Sequence, residues 1–214
     1  NELKEGKGKE YYDNSNLKFE GEYYNYKRWN GKGYDNKNNI VYELKDGKGY
    51  IKEYCDNGNL KYEGELINGE LNGEGKEYDE KGKIIFEGEY INGKRNGEGE
   101  EFYCYIRKYK GEYLNGKRNG KGKEFYFRHQ LKFKGEYLSG KKWNGIGYDI
   151  NRKIISYLKD GKGYVKEYDD WGKIILFEGK YMNGERKKGK EYDLKNHLIY
   201  EGEFLKGKRN GKGE

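Results

Sequence analysis

Proline is absent from this 214-residue chain, and so are alanine and threonine; only two cysteines and two histidines occur. The missing alanine and threonine, beside abundant Lys, Asn, Ile, Tyr and Glu, point to AT-rich coding rather than to a physical requirement. Hydrophobic residues make up 32% of the chain and charged ones 39%, which excludes a single thick core. No window approaches the roughly 18 consecutive apolar residues that span a bilayer, and no apolar opening stretch resembles a signal peptide. Cys55 and Cys104 stand at unrelated points of the pattern described below and match no metal spacing. They read as free thiols in a reducing compartment.

Catalytic signatures are equally sparse. His129 and His197 have no counterparts in neighbouring units and read as solvated surface residues. Glu alternates with Lys, so no carboxylate pair stands out for acid–base work. Gly-x-Gly pairs occur without a GK[ST] run or a following helix, and calcium-loop spacing is missing. The chain is expected to be non-catalytic, with no cofactor, no metal and no small-molecule substrate.

What the chain does hold is glycine, 35 residues, and tyrosine, 25 residues, in a repeating order. The second glycine of a Gly-x-Gly pair falls at Gly8, Gly33, Gly49, Gly75, Gly99, Gly122, Gly147, Gly163 and Gly213, with Gly189 holding that place in one degenerate copy. The first spacings are 25, 16, 26, 24 and 23 residues, and then 25, 16, 26 and 24 again. A block of five units, 114 residues long, is therefore duplicated, as 8–121 and an incomplete 122–214. WNGKGYD at 29–35 recurs as WNGIGYD at 143–149, and YELKDGKGYIKEY at 42–54 as SYLKDGKGYVKEY at 156–168. Both ends look cut within a repeat, so a longer parent protein is expected.

Each long unit carries an aromatic-x-Gly-x-aromatic run, such as FEGEY at 86–90, then Asn-Gly, then Gly-x-Gly-x-Glu-aromatic. Period-two alternation is the signature of a strand, and Asn-Gly between two such runs is a strong hairpin signal. The unit is thus a β-hairpin. With an even turn, Phe86, Gly88 and Tyr90 share a face with Gly97 and Gly99. Rings then lie over glycines, where a larger side chain would collide. Whether Phe86 or Tyr90 covers Gly99 stays open, because two- and four-residue turns both keep the parity. Gly21, Gly64, Gly88, Gly99, Gly111, Gly122, Gly135, Gly179 and Gly202 are accordingly expected to be structural. The fold class is all-β, an elongated single-layer antiparallel meander of stacked hairpins running as one array over 1–214. About nineteen strands at roughly 4.8 Å predict a twisted ribbon about 90 Å long.

These residues resemble the MORN repeat: Y-x-G-x-aromatic, then G-x-x-x-G-x-G, at about 23-residue spacing across essentially the whole chain. KEYYDNSNLKFEGEY and KEYDEKGKIIFEGEY are also similar to bacterial YwqK-type variants described as antitoxins. The resemblance implies arrays of β-hairpins that serve in scaffolding, dimerisation and binding of anionic phospholipids, or as accessory regions beside catalytic domains. The 16-residue units at 33–49 and 147–163 depart from the pattern, since they lack the Gly-centred strand.

The functional candidates lie after the turns. Lys27-Arg28, Lys94-Arg95, Lys117-Arg118, Lys141-Lys142, Arg186-Lys187-Lys188 and Lys208-Arg209 form basic pairs, interrupted at Glu70-Leu71. All would line one edge, a ladder suited to anionic lipid or to acidic protein surfaces. The net charge is only +7, and turns favour solvated lysine in any case. Trp29 and Trp143 are equivalent and read as stacking residues, whereas Trp171 stands alone as a candidate contact. The expected partner is another protein or a second copy of the chain, with an anionic membrane as the alternative and nucleic acid ranked below both. The expected setting is cytoplasmic, extending to attachment at membrane or cytoskeleton. An accessory region of a larger enzyme and a YwqK-like antitoxin complete the alternatives.

Overall fold

The computed structural model describes residues 5–211, so Gly213 of the glycine series lies outside the described residues. The chain divides into two compact units, Asn1–Tyr105 and Ile106–Glu214. The first holds β1 (Gly6–Tyr11), β2 (Leu17–Tyr24), β3 (Lys27–Tyr34), β4 (Ile40–Leu44), β5 (Gly49–Tyr54), β6 (Leu60–Ile67), β7 (Glu70–Tyr78), β8 (Ile84–Ile91) and β9 (Lys94–Tyr103). The second holds β10 (Ile106–Leu114), β11 (Lys117–Phe125), β12 (Leu131–Leu138), β13 (Lys141–Tyr148), β14 (Ile154–Lys159), β15 (Lys162–Tyr168), β16 (Ile175–Met182), β17 (Glu185–Tyr192), β18 (Leu198–Leu205) and β19 (Lys208–Asn210). No helix occurs among the described residues. Within each unit the strands follow chain order as an antiparallel meander; in the first unit β1–β4 form one sheet and β5 begins the next.

The turns settle the question that the sequence left open. Asn92 and Gly93 have φ of 50° and 73°, and Ile91 pairs directly with Lys94, so the loop has two residues. Positive φ at both positions matches the right-handed twist of the flanking strands, and Asn-Gly accepts it most readily. The expected parity then holds at Gly88, which faces Gly99, but not at Gly97. Two residues bulge out of β9, and Gly97 turns towards the Glu89 carboxylate on the other face. A second class of hairpin bulges by a single residue. In β3 the residue pushed out is Trp29, so Gly31 rather than Gly33 faces Gly21. The second copy repeats this at Trp143, where Gly145 faces Gly135. The regular glycine series therefore breaks at Gly33 and Gly147, and those two are displaced by two residues, to face Phe19 and Phe133. The 16-residue units break it further: Ile51 and Val165 face Gly64 and Gly179, where other units place glycine.

Glycine facing glycine is the rule elsewhere, and the reason is visible in space. A Cβ on Gly21 would stand 2.0 Å from the Asn30 carbonyl oxygen, 2.7 Å from the Gly31 Cα and 2.9 Å from the Phe19 ring. Phe19 thus lies along its own strand, across the Gly21–Gly31 pair. Phe177 lies in the same way across Gly179 and Gly189, and Tyr109 across Gly111 and Gly122. The first ring of the run is the one that covers the glycine pair. The second ring reaches back the other way, as Tyr23 does over Gly8.

The rings then meet one another along the buried face of each unit. Phe86 meets Tyr90 edge-on at 5.7 Å, Tyr62 meets Tyr90 at 5.7 Å, and in the second unit Tyr109 meets Tyr137 at 5.2 Å. Such edge-to-face pairs contribute about 1 kcal/mol beyond burial. Phe19, Phe86, Tyr109, Tyr126 and Phe177 are fully buried. The opposite face carries exposed ion pairs such as Lys9–Glu20 and Lys76–Glu87, which contribute little each. Turns also bond to turns: Gly69 N–H donates to the Gly47 carbonyl, and Gly184 N–H to the Gly161 carbonyl. Each turn is thereby tied to its neighbour within the unit.

Candidate functional site

The basic ladder resolves into two sets of residues with different partners. The second member of each pair, and the first of the Arg186-Lys187-Lys188 run, lies on the face that carries the rings. Arg28 lies over Phe19 at 4.9 Å, Arg95 over Phe86 at 4.0 Å, Arg118 over Tyr109 at 4.1 Å, Lys142 over Phe133 at 5.0 Å, Arg186 over Phe177 at 4.6 Å and Arg209 over Tyr200 at 5.4 Å. Each therefore caps the ring that covers the glycine pair. A cation so placed gains roughly 1 kcal/mol or more from the ring face.

Each of these cations also holds a glutamate of a Lys-Glu-aromatic run, Arg118 within its own strand and the others on a strand two places back. Arg95 donates to both Glu77 oxygens, at 2.9 and 2.6 Å, and Arg186 donates to both Glu167 oxygens at 2.8 Å. Arg28 grips Glu10 at 3.0 and 2.6 Å, donates to the Tyr42 hydroxyl at 2.6 Å, and contacts Glu53 as well. Tyr23 donates to Glu10 at 2.6 Å. Burial opposes the Arg28 charge, yet Glu10 and Glu53 hold its pKa above the ordinary arginine value. The Arg28 hydrogen bonds in turn bring Glu10 down to about 2. Burial would raise Glu124, but the charges of Lys142 and Arg118 hold it at about 2. Burial lifts the phenols of Tyr23, Tyr42, Tyr90 and Tyr181 above the usual tyrosine range.

Sequence reasoning missed these glutamates, because it assigned all charge to the solvated face. A signal existed. Glu10, Glu77 and Glu191 each precede their arginine by 18 residues, and Glu167 precedes Arg186 by 19. An offset of 18 or 19 residues between opposite charges thus recurs from unit to unit.

The first members of the pairs face outward. Lys94, Lys117, Lys141 and Lys208 are exposed, as are Lys187 and Lys188. Lys27 bonds Glu70 at 2.9 Å and Lys141 bonds Glu185 at 2.7 Å, so the Glu that interrupts the ladder also neutralises a neighbour. Beside these lysines stands a second row that the sequence reading passed over. Tyr24, Ile67 and Ile91 in the first unit, and Leu114, Leu138, Met182 and Leu205 in the second, are exposed at the last strand position before each turn. Ile91 faces Lys94, Leu114 faces Lys117, Leu138 faces Lys141 and Leu205 faces Lys208.

The remaining candidates are quickly placed. Trp29 packs over Gly47 and Trp143 over Gly161, the stacking role that their recurrence predicts. Trp171 is exposed, edge-on to Phe127 at 4.8 Å. His197 braces its own loop through Asp193, while His129 sits at a turn position with φ of 62°. Cys55 is half-buried, Cys104 is exposed, and both are free thiols. Among the described residues no group of three or more His, Cys, Asp or Glu side chains could hold a metal ion.

Comparison with known families returns one match, a model described as MORN repeat, at residues 62–84, 86–104, 109–127 and 200–214. The hairpins that carry Trp29, Trp143 and the 16-residue units fall outside those segments. No curated protein matches the chain.

Proposed function

We propose that this chain, which carries MORN repeats at four segments, is a non-catalytic interaction module that binds other protein chains, its own copies included, through the outer face of its turns. The observation behind this reading is the row of apolar residues left exposed beside lysines at successive turns. An isolated exposed leucine is ordinary, but the same position left bare in hairpin after hairpin is a patterned surface. Each contact is weak, and a partner that engages several turns of one unit gains by multivalency. The buried face, by contrast, is occupied by its own rings and ion pairs.

The test replaces Leu114 and Leu138 with Glu and follows self-association by analytical ultracentrifugation, with partner capture in parallel. Loss of association and of specific captured proteins, with an unchanged circular dichroism spectrum, is the expected result. Association and capture that match wild type would overturn the reading.

A second reading rests on the same lysines: an anionic membrane meets apolar side chains flanked by cations. Each basic residue near such a surface contributes about 1 kcal/mol, so binding would be steeply salt-sensitive. Co-sedimentation with phosphatidylserine vesicles that falls on Lys117→Glu would support this reading. Equal sedimentation of wild type and variant would eliminate it.

A further inference from the structure

The duplicated block offers an internal control, because the two copies differ where their chemistry is most concentrated. In the first copy Tyr42 stands opposite Gly33 and fills the space above it; a Cβ on that glycine would lie 2.0 Å from the ring. The Tyr42 ring stacks on Phe19 at 6.5 Å and 22°. Its hydroxyl accepts from Arg28 at 2.6 Å and donates to Glu53 at 2.8 Å. The second copy keeps the register, with Ser156 opposite Gly147, but serine has replaced the tyrosine and Lys142 has replaced the arginine.

The space vacated by these two substitutions remains open. A cavity of about 260 Å³ lies in the second unit, lined among others by Phe133, Tyr137, Lys142, Ser156, Val165 and Glu167. These residues are the counterparts of Phe19, Tyr23, Arg28, Tyr42, Ile51 and Glu53, the group that surrounds or includes the Tyr42 ring. The neighbours have not closed over the gap. Arg186 supplies the cation that Glu167 needs, at 2.8 Å, and Lys142 serves Glu124 at 2.7 Å, so the polar walls are held in place without the missing phenol. The phenol of Tyr137, only 3% exposed, stands beside the Glu124 carboxylate, as its counterpart Tyr23 stands beside Glu10.

We propose that this cavity is a binding site for a small phenolic compound, with the ring against Phe133 beyond the Ser156 hydroxyl and the phenol hydroxyl between Lys142 and Glu167. The first copy supplies the template, since its own tyrosine side chain occupies the equivalent place with those two contacts. The volume suits one or two rings and lies below that of most drug-sized sites. The walls are mixed: the rings of Phe133 and Tyr137 and the aliphatic Leu158 and Val165 stand beside charged groups that include Glu124, Lys132, Lys142 and Glu167. The site is independent of the turn row proposed above for protein contacts.

The probe is p-cresol, the tyrosine side chain as a free molecule. Saturable binding to the whole chain, with one site and millimolar or tighter affinity, is expected by calorimetry. Nuclear Overhauser contacts should link its ring to Phe133 and Val165. Toluene should bind about tenfold more weakly, since it loses hydrogen bonds to charged groups. Ser156→Tyr, which restores the residue of the first copy, should abolish binding. The double change Arg28→Lys with Tyr42→Ser should create a second site. No saturable binding, contacts to other residues, or undiminished binding by S156Y would each overturn the proposal. Should S156Y lose its β-sheet spectrum, the wild-type contacts and the stoichiometry of the double variant decide the matter alone.

Discussion

The hairpins around Gly33 and Gly147 began as copies, and they now balance the same charges by different means. In the first copy one guanidinium, Arg28, serves Glu10, Glu53 and the Tyr42 hydroxyl together. In the second the load is divided: Lys142 and Arg118 hold Glu124, while Arg186 holds Glu167. The position of Arg186 is filled by Leu71 in the first copy, which faces Leu66. Exchanging the guanidinium for a single ammonium in one strand is thus matched by an added arginine in another. The backbone register, the single-residue bulge at the tryptophan and the glycine pairs are the same in both copies. Geometry set by glycine is conserved, while the side-chain partners above it have been exchanged.

That contrast can be broken in order of expected effect. Arg28→Met should be the most damaging, because it strips two half-buried carboxylates of their cation at a cost of about 3–5 kcal/mol. Lys142→Met should cost less than half as much, since Arg118 still holds Glu124 at 2.8 Å. Hydrogen-exchange opening free energies of β2–β3 against β12–β13 would measure the difference, and equal losses would refute the division of load. Glycine to alanine should show the opposite behaviour. Gly21→Ala and Gly135→Ala each place a Cβ 2.0 Å from a facing carbonyl oxygen, and both should destabilise by a similar amount, about 3 kcal/mol. A large asymmetry in denaturant unfolding would show that the copies do not share a backbone constraint.

Acid provides a third comparison. Glu124 has a pKa of about 2 when folded against an ordinary value of 4.5, so its ion pairs stabilise fully above about pH 4.5. That stabilisation fades as the pH falls towards 2, and amounts to roughly 3 kcal/mol. Glu124→Gln should therefore flatten the acid limb of the stability profile of the second unit and leave the first unchanged. The smallest effect is expected from Leu71→Arg, which restores the cation present at Arg186. It should relieve Arg28 of Glu53 and shift stability by less than about 1 kcal/mol, but it should reduce the penalty of Arg28→Met measurably in a double-mutant cycle.

Much of this was legible in the order of residues. Ring, glycine and ring at period two announce a strand, and Asn92-Gly93 announces the turn. What could not be read was the bulge: KRWNG lets one residue, Trp29, leave the sheet, whereas KRNGEG lets two leave it. That one step decides whether Gly31 or Gly33 lies under Phe19, and hence that Tyr42 and Ser156 face the buried side. The direction of Arg28 and Arg95 was hidden for the same reason. Turn arginines read as solvated until a bulge rotates them inward over a ring. The exchange of Tyr42 for Ser156 stood in plain view in the aligned blocks, but a missing ring becomes a cavity only once its face is known.

The central claim is that the first ring of each run lies across a pair of facing glycines. Proton NMR tests this directly, since the ring current of Phe19 and Phe133 acts on whatever lies beneath them. The Hα resonances of Gly31 and Gly145 should move far upfield of their random-coil positions, with nuclear Overhauser contacts to those two rings. Random-coil glycine shifts without such contacts would contradict the account.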